Sequence, residues 1–145
     1  MRLSSPLWSI GCLFVAGAIY ASPASTLAQQ HFLQGLAYER LGRIPEAYAE
    51  LQLASALSPL DAQAALALGV VATRLGKLDA AQRALEQSIT LEPNSVASYF
   101  QLAMIYESKK MNERALDSWH RFVGLSQDDL LKQEAQKHIR HLGTP

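Results

Sequence analysis

The sequence predicts an all-α protein, a short solenoid of three stacked helix-turn-helix units closed by one further helix. Two observations support this prediction. The chain matches itself when it is shifted by 34 residues, and a fixed period of this size is typical of stacked helical units. The composition is also rich in alanine and aliphatic residues, with only 8 glycines and 6 prolines among 145 residues, which favours helices.

The first 24 residues differ from the rest of the chain. Arg2 is followed by an uncharged apolar run, residues 7–20, and then by small and polar residues. This order is typical of a secretory signal peptide, and the run is too short, at about 21 Å as a helix, to span a hydrocarbon core of about 30 Å. We expect residues 1–24 to be a signal peptide cleaved after Ala24, with a retained membrane anchor as the alternative. Either way, residues 25–145 would be periplasmic or face the periplasm at the inner membrane.

Charge and cysteine content exclude several kinds of partner and site. The 13 basic and 13 acidic residues cancel, so no strong field exists to attract nucleic acid. The single cysteine, Cys12, excludes an intrachain disulfide and paired-cysteine zinc sites. We therefore expect no nucleic-acid partner, and membrane contact only through a retained N-terminal segment.

The matching positions of the repeat have physical reasons. Gly42 and Gly76 would end the first helix of two units in the left-handed conformation that glycine adopts readily, and Pro59 and Pro93 would stop the second helices. Where the two helices of a unit cross, only a hydrogen or a methyl group is expected to fit. Small residues recur at both crossing positions: Gly35, Gly69 and Ala103 in the first helices, and Ala47, Ala81 and Ala115 in the second.

This pattern resembles the tetratricopeptide repeat, which has small residues at these crossings, an aromatic residue in the first helix and a terminal proline. Tyr38 and Tyr106 match the aromatic position and are expected to fill space between paired helices. The units run over residues 28–61, 62–95 and 96–129. The resemblance implies a right-handed α-solenoid in which the first helices line a concave face.

Residues 128–142 are expected to form a closing helix. Asp128 or Asp129 would cap its start and Gly143 would mark its end. Phe122, where the family usually has alanine, is expected to receive this helix. Its apolar stripe at helical spacing comprises Leu130, Leu131, Ala135, Ile139 and Leu142.

The resemblance implies that ligands lie on the concave face. Two apolar ladders, Phe32–Leu66–Phe100 and Leu36–Val70–Met104, would run across it and suit an apolar or amphipathic peptide. One alternative is that Phe32 and Phe100 pack against neighbouring helices or the tail, and another is that this face joins identical chains. The predicted groove residues are Phe32, Leu36, Glu39, Arg40, Leu66, Val70, Thr73, Arg74, Phe100, Met104 and Glu107.

Relatives that bind the acidic carboxyl terminus of chaperones carry Lys, Asn and Arg on this face. The corresponding positions of this chain hold no charge, so a carboxylate clamp is not expected. They are Phe32, Leu36, Ala67, Ala97 and Gln101.

No constellation for catalysis, metal or cofactor binding is predicted. His138 and His141 lie three residues apart on one helix, but no acidic or cysteine third ligand is suggested nearby, so we expect an exposed helix face. Glu39, Glu46 and Glu50 are also expected to be exposed charges.

The sequence therefore predicts an exported adaptor, not an enzyme, that binds another protein or peptide in an envelope assembly. The alternative is a membrane-anchored scaffold that associates with itself.

Overall fold

The computed structural model describes residues 23–143. Within this range each odd-numbered helix packs against the even-numbered helix that follows it, α7 packs against α6, and no strand forms. The predicted all-α solenoid of three helical hairpins and a closing helix is confirmed. The helices are α1 (Pro23–Arg40), α2 (Ile44–Leu57), α3 (Ala62–Arg74), α4 (Leu78–Leu91), α5 (Val96–Ser108), α6 (Asn112–Leu125) and α7 (Asp129–Leu142).

The period is visible in the helix boundaries. The first helices of the three units end at Arg40, Arg74 and Ser108. Gly42 and Gly76 follow with φ angles of +72° and +71°, as predicted. In the third unit Lys110 adopts φ +57° at the equivalent position, and a residue with a side chain pays roughly 1–2 kcal/mol for this conformation.

The helix crossings are tighter than the sequence suggested. A Cβ atom added to Gly35 would lie 2.6 Å from Leu51 Cγ, and one added to Gly69 would lie 2.5 Å from Leu85 Cγ. The expectation that a methyl group also fits is therefore wrong at these two positions. In the third unit the methyl group of Ala103 is accommodated, and Trp119 stands where the other units have leucine.

The core changes character along the stack. Alanines and leucines dominate the first two units. Tyr38 packs against one buried cluster, and Tyr106 of the third unit is buried in the neighbouring cluster. The third unit is aromatic: the Phe100 ring lies 5.5 Å from the Trp119 ring and 5.4 Å from the Phe122 ring. Ala135 of α7 completes this cluster, which confirms that Phe122 receives the closing helix.

The capping of α7 also follows the prediction. The Asp128 carboxylate accepts hydrogen bonds from the backbone N–H groups of Leu130 and Leu131, which otherwise lack partners at a helix start. Gly143 follows the helix end and donates its N–H to the carbonyl of Ile139.

The start of α1 adds to the predicted boundaries. The helix begins at Pro23, ahead of the predicted unit start at residue 28. Residues 1–22, which hold most of the predicted signal peptide, lie outside the described residues, so that prediction stays a prediction. Cleavage after Ala24 would remove only the first two residues of α1. Within residues 23–143, no helix is long and apolar enough to cross a membrane.

Candidate functional site

The first helices of the units lie side by side, with α3 next to both α1 and α5. Arg74 Nη1 donates to Glu39 Oε1 at 3.1 Å, which joins two of the predicted groove residues across neighbouring units. Thr73 instead donates to the carbonyl of Gly69 within its own helix. This arrangement brings Glu39 and Arg74 together, and the peptide groove itself stays a prediction.

The side chains of the two apolar ladders sit between core and surface. Phe32 is half-buried against the cluster of Ala47, Leu51 and Val71. Leu66 is half-buried against the next cluster, and Met104 is 38% exposed. Phe32 and Phe100 therefore do pack against neighbouring helices, as the alternative proposed, and each keeps part of its ring accessible.

An apolar cavity of about 440 Å³ lies between α5 and α7. Two of its lining residues, Ala97 and Phe100, are among those that the family resemblance assigns to the concave face. Gln101 is the only polar side chain that lines it. Leu131 of α7 was assigned to the closing helix, but the sequence could not show that it turns toward α5. The full lining is Val96, Ala97, Phe100, Gln101, Phe122 and Leu131.

A polar cluster lies at the opposite end of the contact between α5 and α7. Glu107 accepts a hydrogen bond from Trp119 Nε1 and lies 3.0 Å from His138 Nδ1. The His138 ring stacks on the Trp119 ring at 4.7 Å. Glu107, a predicted groove residue, is therefore engaged in holding the closing helix.

The sequence suggested no acidic residue near His138, since Glu107, which lies beside it, comes from a different helix. A cavity of about 370 Å³ here is also lined by Glu134, Lys137 and His141. The hydrogen bond from Lys137 lowers the pKa of Glu134. Within residues 23–143, no group of three or more metal-ligating side chains is suitably placed for an ion.

Two of the glutamates expected to be exposed are partly buried in ion pairs. Glu50 Oε2 lies 2.6 Å from His31 Nδ1, and Glu39 pairs with Arg74. The sequence spacing placed each glutamate on a helix but could not show its partner on another. Arg40 is exposed and makes no ion pair with any residue from 23 to 143.

The second helices form a further cavity, of about 480 Å³, between α4 and α6. The Tyr106 hydroxyl donates to Glu86 Oε1 at 2.7 Å. Burial, and to a smaller extent this hydrogen bond, raises the pKa of Tyr106 to about 12. The phenol stays protonated and fixes α5 to α4, so we regard this site as structural.

Comparison with known families gives two matches, both described as "Tetratricopeptide repeat". One covers residues 62–95, the same bounds as the predicted second unit. The other covers residues 84–117 and is offset, running from α4 through α5 into α6. No curated protein sequence matches this chain.

Solved structures share the fold at low sequence identity. The TPR domain of Arabidopsis OM64 has a TM-score of 0.76 at 14% identity, over 81% of this chain and 98% of that one. The first TPR of Spaghetti (RPAP3), bound to the HSP90 peptide SRMEEVD, scores 0.75 at 17% identity, over 83% and 96%. The type III secretion chaperone SycD of Yersinia enterocolitica, in complex with a peptide of the translocator YopD, scores 0.72 at 15% identity, over 79% and 90%.

The repeated glycine crossings, the left-handed turns after the first helices and the family matches in the middle of the stack all agree. This chain belongs to the tetratricopeptide repeat family.

Proposed function

We propose that this chain is an adaptor that binds an apolar or amphipathic segment of another protein along the face formed by α1, α3, α5 and the edge of α7. The apolar cavity between α5 and α7 is the observation that supports this most directly. It offers about 440 Å³ in continuity with the Phe100 ladder, and apolar side chains of a ligand gain about 25 cal/mol for each Å² that they bury.

Two structures of this fold contain a bound peptide. The Spaghetti domain holds an HSP90 peptide, and SycD holds a peptide of its translocator. A stack of rigid hairpins loses little conformational freedom when a ligand binds, so most of the contact energy remains as affinity. The same logic applies to this chain, whose helices are held by three buried apolar clusters.

The residues of the face favour an apolar ligand over an acidic carboxyl terminus. Its cavity has one uncharged polar side chain, Gln101. Of the charges near the ladders, Glu39 and Arg74 already neutralise each other, and the Glu107 carboxylate is held by Trp119 and His138. A peptide such as SRMEEVD would place carboxylates against apolar side chains, which is unfavourable without partners.

The export signal predicted in residues 1–24 supports a place for the adaptor in the cell envelope. A basic start, a short apolar run and small residues before Ala24 form that signal. We propose that the ligand belongs to an envelope assembly facing the periplasm.

Crosslinking at Ala97 tests the proposal directly. Ala97 is exposed in the first turn of α5 and lines the cavity. A photoreactive residue placed there in the full chain, in its native cell, should crosslink to an apolar segment of one envelope protein. That segment, made as a synthetic peptide, should bind the purified chain in calorimetry, whereas SRMEEVD should not.

Two substitutions should weaken this binding at least about tenfold, because each places an unpaired charge in the cavity. They are Ala97→Glu and Leu131→Glu, both at exposed positions. Ala49→Glu, at an exposed position of α2, is the matched control and should leave binding unchanged. Equal binding by Ala97→Glu and the wild type would refute the groove, and crosslinks to a second copy of the chain would favour the self-associating scaffold.

A further inference from the structure

Within residues 23–143, the amino-terminal end of the stack carries a surface on which no other element packs. We call it the end face and define it by Gln30, Leu33, Arg40, Leu41 and Leu53. The exposed fractions are 56% for Leu33, 71% for Leu41 and 48% for Leu53. Arg40 is also one of the predicted groove residues, so the two surfaces adjoin there, whereas the three leucines are not groove residues.

The internal repeat shows what these positions do when a unit precedes them. Shifting Gln30, Leu41 and Leu53 by whole repeats leads to side chains that contact the preceding unit. The contacts are Ser98 Oγ to Ser88 Oγ at 3.0 Å, Lys109 Nζ to Asp79 Oδ1 at 2.7 Å, and Gln87 Nε2 to the Pro59 carbonyl at 2.7 Å. The end face is therefore the surface with which a unit packs against its upstream neighbour.

The charge of the end face indicates the chemistry of the missing neighbour. Arg74, one repeat after Arg40, pairs with Glu39 of the preceding unit at 3.1 Å. Arg40 occupies the same position, is exposed, and has no ionic partner within residues 23–143. A neighbour that packed as unit 1 packs on unit 2 would present a carboxylate to Arg40.

The segment directly ahead of α1 supplies no such carboxylate, because residues 1–22 contain no Asp or Glu. In a second copy, Glu39 is already paired with Arg74. Stacking of identical chains head to tail is also opposed, because α7 closes the other end with the charged residues Asp129, Lys132, Glu134, Lys137 and Arg140.

We propose that the end face receives a helical hairpin of another protein, with apolar side chains over Leu33, Leu41 and Leu53 and a carboxylate paired with Arg40. The hairpin would pack on α1 and α2 as one unit of the stack packs on the next. The chain would then bind one partner end-on and a peptide in its groove.

A duplicated unit provides a defined probe of the end face. A copy of residues 28–61 is inserted ahead of residue 28 in the full chain, so that its Glu39 meets the original Arg40. The melting temperature should rise by several degrees, at about 2–4 °C for each kcal/mol in a chain of roughly 150–250 residues. Arg40→Glu in the original unit should remove a part of this rise, and Glu39→Arg in the added copy should restore it.

The chain without the duplication is the control, and there Arg40→Glu should leave the melting temperature unchanged because Arg40 has no partner to lose. An added unit that gives no rise, or a rise insensitive to both charge reversals, would overturn the proposal.

Crosslinking at position 41 tests the native occupant. A photoreactive residue at Leu41 should react with a helical segment of another protein that contains Asp or Glu. The yield should fall at least fivefold with Arg40→Glu and recover when the partner's acidic residue is changed to Arg. A photoreactive residue at Gln136, which is exposed on α7 at the other end of the stack, is the control and should not give this product.

Three results would overturn the proposal: a crosslink to a second copy, a crosslink to residues 1–22, or no crosslink at position 41. A crosslink at position 97 with none at position 41 would leave the groove intact and remove only the end-on partner.

Discussion

Helices α1 and α7 each lie at an end of the stack, yet their outer surfaces are opposite in character. From Pro23 to Tyr38, α1 contains no Asp, Glu, Lys or Arg, and the amino end leaves Leu33 and Leu41 exposed. α7 carries charges of both signs on its outside and buries Ala135 to 1% exposure. A terminal unit of a solenoid normally needs a polar outer face to remain soluble. The carboxyl end of this chain meets that requirement, and the amino end has the face of an internal unit.

The two ends also differ in how they are fastened. His138 stacks on Trp119 and pairs with Glu107, so α7 is tied to both helices of the third unit. His31 pairs with Glu50, which ties α1 to the second helix of its own unit. The histidine of the closing helix therefore fastens α7 to both helices of another unit, whereas the histidine of α1 pairs within its own hairpin.

Removal of α7 should have the largest effect on stability. A chain ending at Gln127 would expose Trp119 and Phe122, which are 1% and 2% exposed in the intact protein. Each large apolar side chain returned to water costs about 1.5–3 kcal/mol, so the loss should be roughly 3 kcal/mol or more. Urea denaturation followed by circular dichroism would measure it.

Removal of residues 23–27, at the other end, is the matched control. The side chains of residues 24–27 are exposed, so the free energy of unfolding should change by less than about 0.5 kcal/mol. Equal losses from the two truncations would contradict the contrast between the ends.

The two ends also show which features the sequence could reveal. The period identified Gly35 and Gly69 and the left-handed turns, because each depends on contacts within one hairpin that recur every 34 residues. The closing helix was identified by its own apolar stripe and capping residues. Glu107 and His138 are 31 residues apart, so their pairing lies outside the repeat. It depends on how α7 is rotated against α5, which periodicity does not determine.

The candidate site, likewise, was predictable only in part. The ladders could be assigned to the first helices, but the apolar cavity needs Phe122 and Leu131 as well. Phe122 meets Phe100 within the third hairpin, and Leu131 reaches the cavity only because α7 docks on α6. The third unit departs from the repeat pattern at Phe122, and that departure was the available signal.

Exchanging residues between equivalent positions of the first two units should give the next largest effect. Ala64 is 1% exposed at the boundary with unit 1, whereas Gln30, one repeat earlier, is exposed on the end face. Ala64→Gln should destabilise the chain by about 1–3 kcal/mol through overpacking. Gln30→Ala should change stability by less than about 0.5 kcal/mol, as measured by urea denaturation. Similar losses for both variants would show that the end face is already covered.

A methyl group added at the crossing glycines should lower stability somewhat less, and the loss should again depend on which unit carries the change. Gly69→Ala would place Cβ 2.5 Å from Leu85 Cγ, and overpacking of about 1–3 kcal/mol should exceed the gain of about 1 kcal/mol in helix propensity. Gly35→Ala should cost less, because α1 has no upstream neighbour in residues 23–143 and can move outward.

Gly124→Ala is the control for the crossing glycines, because nothing lies within 4 Å of its added Cβ. It should stabilise α6 by up to about 1 kcal/mol. Thermal denaturation of the three variants would rank them, and a larger loss at Gly35 than at Gly69 would contradict the freedom assigned to the amino end.

The smallest effect on stability concerns the ion pair between Lys109 and Asp79, which has no equivalent at the end face. Lys109 Nζ donates to Asp79 Oδ1 at 2.7 Å, and this bond holds the pKa of Asp79 below its usual value. Because the folded pKa is lowered, the pair contributes stability above the unfolded pKa of about 3.9 and loses it as the pH falls through the folded pKa. Asp79→Asn should therefore lower the urea midpoint slightly near neutral pH, and the difference should shrink on acidification to about pH 3 and in high salt. Asp117 is an exposed carboxylate without an ion pair in residues 23–143, so Asp117→Asn should show no such dependence.

The position equivalent to Lys109 in unit 1 is Leu41. Leu41→Lys should therefore not raise the free energy of unfolding until a partner with a carboxylate is present. A pH-dependent gain from Leu41→Lys in the isolated chain would mean that its own residues already cover the amino end.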